Sequence, residues 1–285
     1  MSPDQAGPQR LHDLVEAFAH TARAVVDLGL GCNDDDFARP TECPGWTVQD
    51  QISHVVGVEA WLAGHRDPRV EMPQYEHIRN DLGKKVEYAV QVRRARTGTA
   101  VVAELEDVLA QRLSTLRDPM LTDTSMIAGP FGPDQAVTVL MLRTFDVWAH
   151  EQDIRSALGR PGNLDSPAAS VFVSTVMTQL PRLIAQGAAL DPGHPVVIEV
   201  TGPDSAVGAR LGVRVEPDEQ GRVRGHVWSA LSGEPAAGSA TTISLSTEAF
   251  TRRAAGRRPV SGTAYEVDGD ETIARRVLEA LVVTH

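Results

Sequence analysis

The sequence predicts an α + α/β protein of two domains, a helical domain over residues 1–190 and a smaller α+β domain over residues 191–285. Three observations lead to this fold class. The chain has 285 residues, enough for two domains with a substantial apolar core. Apolar residues recur at helical spacing up to about residue 190. After Pro192 the spacing changes to the alternation that is typical of strands.

The helical domain is predicted from its apolar stripes and from its helix boundaries. Thr47 is a plausible N-cap, and Asp50 follows three residues later as in a capping box. A helix that starts at Ser166 is expected to kink at Pro181. The predicted segments are a helix over 9–29, a helix over 47–64, a turn and short helix within 76–96, and helices over 99–117, 135–158 and 166–190.

The long segment 118–134 is rich in Gly, Pro and Asp and predicts a loop. Loops of this length without structure of their own are often functional. This loop directly precedes the helix over 135–158, so we expect it to cover a site on that helix.

The α+β domain is predicted from period-two alternation and β-branched residues. Strands are expected over 196–200, 209–216, 222–229 and 241–246, and helices over 247–258 and 270–282.

Composition and charge exclude several classes of function. The net charge is −11, which disfavours binding to nucleic acids and anionic membranes. No run approaches eighteen apolar residues, so no membrane-spanning helix is expected. The first residues, MSPDQAGPQR, do not resemble a signal peptide, so a cytoplasmic protein is expected. Cys32 and Cys43 share a loop without metal-ligand spacing, so free thiols are expected and a reactive thiol would have to come from a substrate.

The most informative residues are His54, Asp146 and His150. Asp146 and His150 stand four apart, on one face of a helix that is apolar nearly all round. His54 comes 92 residues before Asp146 in another predicted helix. If the two helices pack side by side, two imidazoles and one carboxylate converge as in a catalytic metal site. The alternative is that Asp146 and His150 satisfy each other or a nearby arginine.

Two motifs resemble the mycothiol-dependent maleylpyruvate isomerase family. Residues 41–64 contain Cys-Pro-Gly-Trp-Thr followed by His54, seven residues after the Thr. The second family motif, an acidic residue, three spacers and His, corresponds to Asp146 and His150. The isomerase itself uses Glu where this chain has Asp146. The resemblance implies a DinB-like four-helix bundle followed by a sterol-carrier-protein-like domain over residues 194–285.

The resemblance also implies a chemistry. Family members hold zinc, or another divalent metal, and use the small thiol mycothiol as cofactor or cosubstrate. His54, Asp146 and His150 would be the metal ligands. The thiolate adds to a small electrophile, in an isomerisation or in an S-conjugation. Arg143, one turn before Asp146, is a candidate catalytic residue that would hold a substrate carboxylate, or else a structural partner of Asp146 or Asp153. Asn80 resembles a family position near the pocket and is a candidate substrate-binding residue.

Two other functions stay open from the sequence. The chain could be a non-catalytic binding protein, in which the C-terminal domain carries an apolar ligand and the metal site is vestigial. It could also be a ferrous-iron oxygenase, because two histidines and one carboxylate suit that metal as well. The sequence does not distinguish a monomer from a small homo-oligomer, and it does not name the electrophile.

Overall fold

The computed structural model describes residues 8–202, 208–228 and 240–284. Residues 1–7 and residue 229, the last of a predicted strand, lie outside this range. The chain divides into two compact units, up to Gly162 and from Asn163 onward. The boundary therefore precedes the helix that starts at Pro167, whereas the sequence prediction places it after that helix, at residue 190.

The first unit is mainly helical. The helices α1, α3, α5 and α6 pack around one apolar core, with α1 against α5 and α6 and α3 against the same two helices. Phe18, Ile52, Leu105 and Leu140 are fully buried there. The elements are α1 (Pro8–Leu30), α2 (Asp34–Phe37), α3 (Val48–Leu62), α4 (Asp81–Gln91), α5 (Gly98–Leu116), β1 (Met126–Ile127), β2 (Asp134–Gln135) and α6 (Ala136–Leu158).

A tight turn and a capping box position α3. Thr47 is the N-cap and its side chain accepts from the Asp50 amide, while the Asp50 side chain accepts from the Thr47 amide, as predicted. In the preceding turn Gly45 adopts a left-handed conformation with φ of +79°. The His77 imidazole occupies the space that a β-carbon at Gly45 would need. Glycine is therefore required here both by the backbone and by the close packing.

The second unit combines three helices with a five-stranded sheet. The sheet order is β5-β4-β3-β6-β7, with β3 parallel to β6 and the other neighbours antiparallel. Helix α7 packs on β4 and β5 and contacts α8 and α9. The elements are α7 (Pro167–Gly187), β3 (Pro195–Thr201), β4 (Ala209–Pro217), β5 (Val223–Trp228), β6 (Thr241–Ser246), α8 (Thr247–Ala254), β7 (Glu266–Asp268) and α9 (Glu271–Ala280).

Helix α7 explains why the unit boundary differs from the prediction. Its apolar side chains are buried in contact with β4 and β5, so the helix is part of the second unit. Within the described residues, α7 also has the length and apolar composition of a membrane-spanning segment. Its packing on β4 and β5 accounts for that composition without a membrane.

Candidate metal centre

His54, Asp146 and His150 converge as the sequence predicts. One potential ligand atom from each lies within 4.8 Å of the others. His54 Nε2 is 3.2 Å from Asp146 Oδ2, and His150 Nε2 is 3.6 Å from Asp146 Oδ1. Both histidines are buried, whereas the Asp146 side chain is 29% exposed. The carboxylate therefore lies between the two imidazoles and the surface of an adjoining cavity.

A chain of hydrogen bonds sets the tautomer of His150. The Thr41 hydroxyl donates to the Trp46 carbonyl at 2.9 Å and accepts from Gln51 Nε2 at 2.8 Å. This orients the Gln51 amide so that its oxygen lies 2.5 Å from His150 Nδ1. A carbonyl oxygen can only accept, so Nδ1 carries the proton and Nε2 keeps its lone pair. The lone pair faces Asp146, in the arrangement that a ligating histidine requires.

Arg143 belongs to a buried network of two arginines and two carboxylates. Arg143 donates from Nε to Glu59 at 2.7 Å and from Nη1 to Asp146 at 2.8 Å. Arg112 donates to the other oxygen of Glu59 at 2.9 Å. Asp146 and Glu59 raise the pKa of Arg143, although burial alone would lower it. The salt bridge to Asp146, one of the two roles expected for Arg143, is therefore formed, and Glu59 is an additional partner.

Electrostatics place the three converging groups in different protonation states. Burial, together with repulsion from His150, lowers the pKa of His54 to about 4. Burial alone would raise the pKa of Asp146, but Arg143 and the histidines hold it well below its usual range. Burial likewise would lower the pKa of His150, but Asp146 and Asp153 raise it. At neutral pH His54 is thus neutral and Asp146 ionised, which are the forms that bind a metal. The raised pKa of His150 favours its protonated form, so a metal would have to displace the proton from Nε2 to give the neutral tautomer described above.

The donor set fits a divalent ion. Two imidazole nitrogens and one carboxylate oxygen suit zinc, and they suit ferrous iron as well. Within the described part of the chain, His54 Nδ1 is buried and has no hydrogen-bond partner. The observation that supports a cation here is therefore the donor set itself, two buried imidazoles that converge on one ionised carboxylate.

Trp46 covers the two imidazoles. Its ring centroid is 5.2 Å from that of His54 and 5.8 Å from that of His150. The indole N–H donates to buried Glu87 at 2.8 Å, and His77 contacts the same oxygen at 2.8 Å. Burial would raise the pKa of Glu87, but hydrogen bonds from His77, Trp46 and Arg94 lower it. Glu87 on α4 thus fixes the tryptophan that shields the cluster from water.

A cavity of about 1390 Å³ opens from His54 and Asp146. Its walls come from α3, α4, α6 and the loops beside them. Pro130 and Phe131, in the segment 118–134, line it as well. They form the tip of the hairpin β1–β2, where the Gly129 and Gly132 amides and carbonyls bond to each other at 3.1 Å. The segment predicted as a covering loop therefore reaches the cavity.

Asn80 and the cysteines lie apart from this cavity. Asn80 is the N-cap of α4, and its side-chain oxygen accepts from the Gly83 amide at 2.7 Å. The described lining of the cavity includes its neighbours Ile78 and Leu82 but neither Asn80 nor Cys32 nor Cys43. A contact between Asn80 and substrate stays a prediction. Burial, with the charge of Asp36, raises the pKa of the Cys32 thiol, which disfavours a reactive thiolate there.

Three contacts of the site were not anticipated from the sequence, although Glu59 was a candidate ligand should Asp146 not bind the metal. Gln51 and Thr41 orient His150, and Glu59 binds Arg143. The sequence spacing could have indicated Gln51, because it precedes His54 by three residues and therefore lies on the same face of the helix. No local pattern connects Glu59 with Arg143, because they lie 84 residues apart.

Comparisons with known proteins identify the family. Residues 18–155 match the family described as the mycothiol maleylpyruvate isomerase N-terminal domain. The chain is similar to the crystal structure of a mycothiol-dependent maleylpyruvate isomerase, at 17% identity over 90% of this chain and 92% of that chain, with a TM-score of 0.51. A variant of that enzyme with one histidine replaced by alanine has the same identity and coverage and a TM-score of 0.52. No curated protein sequence matches significantly.

The two findings support different statements. At 17% identity the structural likeness shows the fold, a mixture of helices and sheet that matches the fold of the isomerase. The sequence match over residues 18–155 contains all three converging side chains. Residues 18–155 therefore form a domain of the family described as the mycothiol maleylpyruvate isomerase N-terminal domain.

Proposed function

We propose that this protein is a zinc-dependent enzyme that adds the thiol of mycothiol to a small electrophile. His54, Asp146 and His150 are the proposed metal ligands. The observation that carries the proposal is their convergence at the base of a large cavity, in a chain with a domain of this family. When bound, the metal lowers the pKa of a coordinated thiol and so supplies a thiolate nucleophile near neutral pH.

The surrounding residues of the chain prepare the site. Gln51 and Thr41 keep the His150 lone pair directed at the cluster. Trp46 excludes water from the two imidazoles. Arg143 lines the cavity, and its Nη2 has no hydrogen-bond partner among the described residues. We propose that Nη2 donates to the negative charge that develops on the electrophile during addition.

The products of the proposed reaction would distinguish an isomerase from an S-transferase. In both, a bond forms between sulfur and an electrophilic carbon while the π bond of a conjugated double bond breaks and its electrons form an enolate. If the former double bond rotates and the enolate then expels the thiolate, the product is an isomer of the substrate. If the adduct gains a proton and leaves, the product is a conjugate. The relatives named as isomerases favour the first outcome. We also propose that the protein is cytoplasmic and is a monomer or a small homo-oligomer.

The roles of the two units are also proposals. We propose that the first unit is a DinB-like metal-binding helical bundle, which its helices α1, α3, α5 and α6 support. The second unit, a five-stranded sheet covered by α7, is proposed to be sterol-carrier-like.

The experiment that tests the function measures metal and thiol dependence together. Purified protein should contain about one zinc per chain by elemental analysis, and a mass-spectrometric screen of electrophiles should show turnover with mycothiol that a chelator abolishes. His150→Ala should lose both metal and turnover. His65→Ala is the matched control, because His65 lines the same cavity but bonds to Gln111 at 2.7 Å, outside the cluster.

Three results would overturn the proposal. A folded protein that refuses zinc would remove the metal site. Turnover without thiol, accompanied by oxygen uptake in the presence of ferrous iron, would indicate an oxygenase. Ligand binding that survives metal removal, with no turnover of any electrophile, would indicate a non-catalytic binding protein.

A further inference from the structure

The cavity beside the metal cluster has an unusually apolar mouth. Among the described residues, eight large hydrophobic side chains are exposed, and three of them line this one cavity. They are Trp61, 46% exposed, Leu82, 49% exposed, and Phe131, 73% exposed. Exposed apolar side chains that gather around one opening mark a binding surface for an apolar group.

Three polar side chains of the wall are already engaged with the protein. Asp67 binds Arg93 at 3.0 Å. The Tyr75 hydroxyl donates to the Gln91 side chain at 2.6 Å, and the Tyr88 hydroxyl donates to the Pro68 carbonyl at 2.8 Å. These three side chains therefore offer little unused hydrogen-bonding capacity to a ligand, whereas the apolar side chains at the mouth are exposed.

The charge of the buried arginine in the wall is balanced by the protein, although its Nη2 has no hydrogen-bond partner among the described residues. Arg143 is bound to Glu59 and to Asp146, and with Arg112 the four charges of this network cancel. Arg66, Lys84 and Lys85 also line the cavity, but all three are exposed to solvent, where ion pairs contribute little. A small dicarboxylate would find no pair of free buried cations in the described wall.

The size of the cavity also exceeds what a small diacid needs. Ligand pockets usually measure about 300–1,000 Å³. The volume here, about 1390 Å³, has room for a cosubstrate thiol and for a second molecule of substantial size. The apolar residues lie at the mouth, and the cluster lies at the base, so a long molecule could reach both.

From these observations we infer that the electrophile is a neutral molecule with an aromatic or alkyl body, held between Trp61, Leu82 and Phe131. This inference rests on the proposed thiol chemistry and names its substrate class. It differs from the substrate in the name of the similar isomerases, maleylpyruvate, which is a dicarboxylate. The reactive carbon would face the cluster while the apolar body packs at the mouth.

A binding experiment tests the inference without metal or thiol. The neutral fluorophore N-phenyl-1-naphthylamine is titrated into the full-length, metal-free protein, beside its sulfonated analogue 8-anilinonaphthalene-1-sulfonate. The neutral probe should bind at least as tightly, and excess maleate should not displace it. Phe131→Ser and Trp61→Ser should each weaken its binding about tenfold, the effect of losing one large apolar contact.

Met120→Ser is the matched control. Met120 lies in the same loop segment as Phe131 and is 83% exposed, but it does not line the cavity. Its substitution should leave the dissociation constant of the probe unchanged. Displacement of the probe by maleate, tighter binding of the sulfonated analogue, or equal binding by Phe131→Ser and Met120→Ser would overturn the inference.

A turnover experiment separates this inference from the proposed function. The zinc-loaded protein with mycothiol is offered a neutral aryl enone and the same enone bearing a carboxylate. A higher kcat/KM for the neutral compound, reduced in Phe131→Ser through KM, supports the inference. A higher kcat/KM for the carboxylate overturns it while the thiol chemistry stands. If neither compound reacts but the probe still binds as expected, the proposed function fails and the apolar site remains.

Discussion

Replacing Gln51 by leucine should weaken metal binding without touching a proposed ligand. The Gln51 amide is fully buried and links Thr41 to His150. Leucine has a similar volume but neither donor nor acceptor. The His150 N–H would then face the carboxylate of Asp153, whose Oδ2 lies 3.5 Å from Nδ1 and so accepts less well than the Gln51 oxygen at 2.5 Å.

The size of the effect follows from these contacts. Loss of a partner that orients a ligating histidine typically lowers metal affinity by about 10- to 100-fold, or about 1.4–2.7 kcal/mol. The same change should lower the free energy of unfolding by about 1–3 kcal/mol, because a buried N–H loses its acceptor. Thr41 keeps its bond to the Trp46 carbonyl, so the turn before α3 should survive.

Zinc affinity is measured by competition with a chromophoric chelator, and folding by thermal unfolding with and without zinc. Gln49→Leu is the matched control. It lies on the same helix, but its amide donates to the Arg93 and Arg96 carbonyls instead of the cluster. Gln51→Glu should restore most of the affinity, because a carboxylate also accepts from His150. Nitrogen-15 NMR of the imidazoles reports the tautomer directly.

If folded Gln51→Leu binds zinc as tightly as the parent protein, Gln51 does not orient His150 for metal binding. The same conclusion follows if His150 carries its proton on Nε2 in the parent. Either result would mean that the hydrogen-bond chain from Thr41 does not determine how His150 presents its lone pair.

Three further predictions concern the same unit. Asp146→Asn should lower metal affinity about tenfold or more, because the carboxylate charge is lost. Asp146→Glu should retain the metal and change the rate of turnover. If chelator competition shows unchanged affinity in Asp146→Asn, Asp146 is not a ligand. The double variant Cys32→Ser/Cys43→Ser should keep most of its turnover with mycothiol, and loss of activity in a folded protein would indicate an enzyme-borne thiol. Glu87→Gln should cost about 1–3 kcal/mol at pH 7. Because the pKa of Glu87 is lowered in the folded state, its stabilising effect is present above its ordinary value of 4.5 and lost as the pH falls below it. Urea unfolding should therefore show a smaller difference between parent and Glu87→Gln at pH 3.5 than at pH 7, and an equal difference would contradict the role of the ionised carboxylate.

Long elements with a clear apolar period were predictable from the sequence. The structure confirms α1, α3, α5 and α6, with ends that differ from the predicted ends by two residues or fewer. It also confirms the capping box at Thr47. Short elements were not predicted: α2, β1, β2 and β7 have between two and four residues. A segment of that length contains too few residues to establish a period, and contacts with the rest of the chain decide its structure.

The arginine-rich segment of the second unit illustrates a role that only packing assigns. The sequence shows several arginines around α8, which fits either a solvated face or an anion site. In the structure Arg253 is buried, and its guanidinium donates to the Leu278 carbonyl at 2.7 Å and to the Glu279 carbonyl at 3.0 Å. These are carbonyls at the C-terminal end of α9, so Arg253 caps that helix.

The sequence by itself determined which residues could form the cluster. Asp146 and His150 share a helix face because they stand four apart, and the family motif singled out His54. The tertiary structure decided what surrounds them. An apolar stripe indicates that a helix is buried but not against which partner, so the assignment of α7 to the second unit could not be read from it. The partners Glu59 and Gln51 lie 84 and 99 residues from the groups they bind, and contacts at such distances form only when helices pack together.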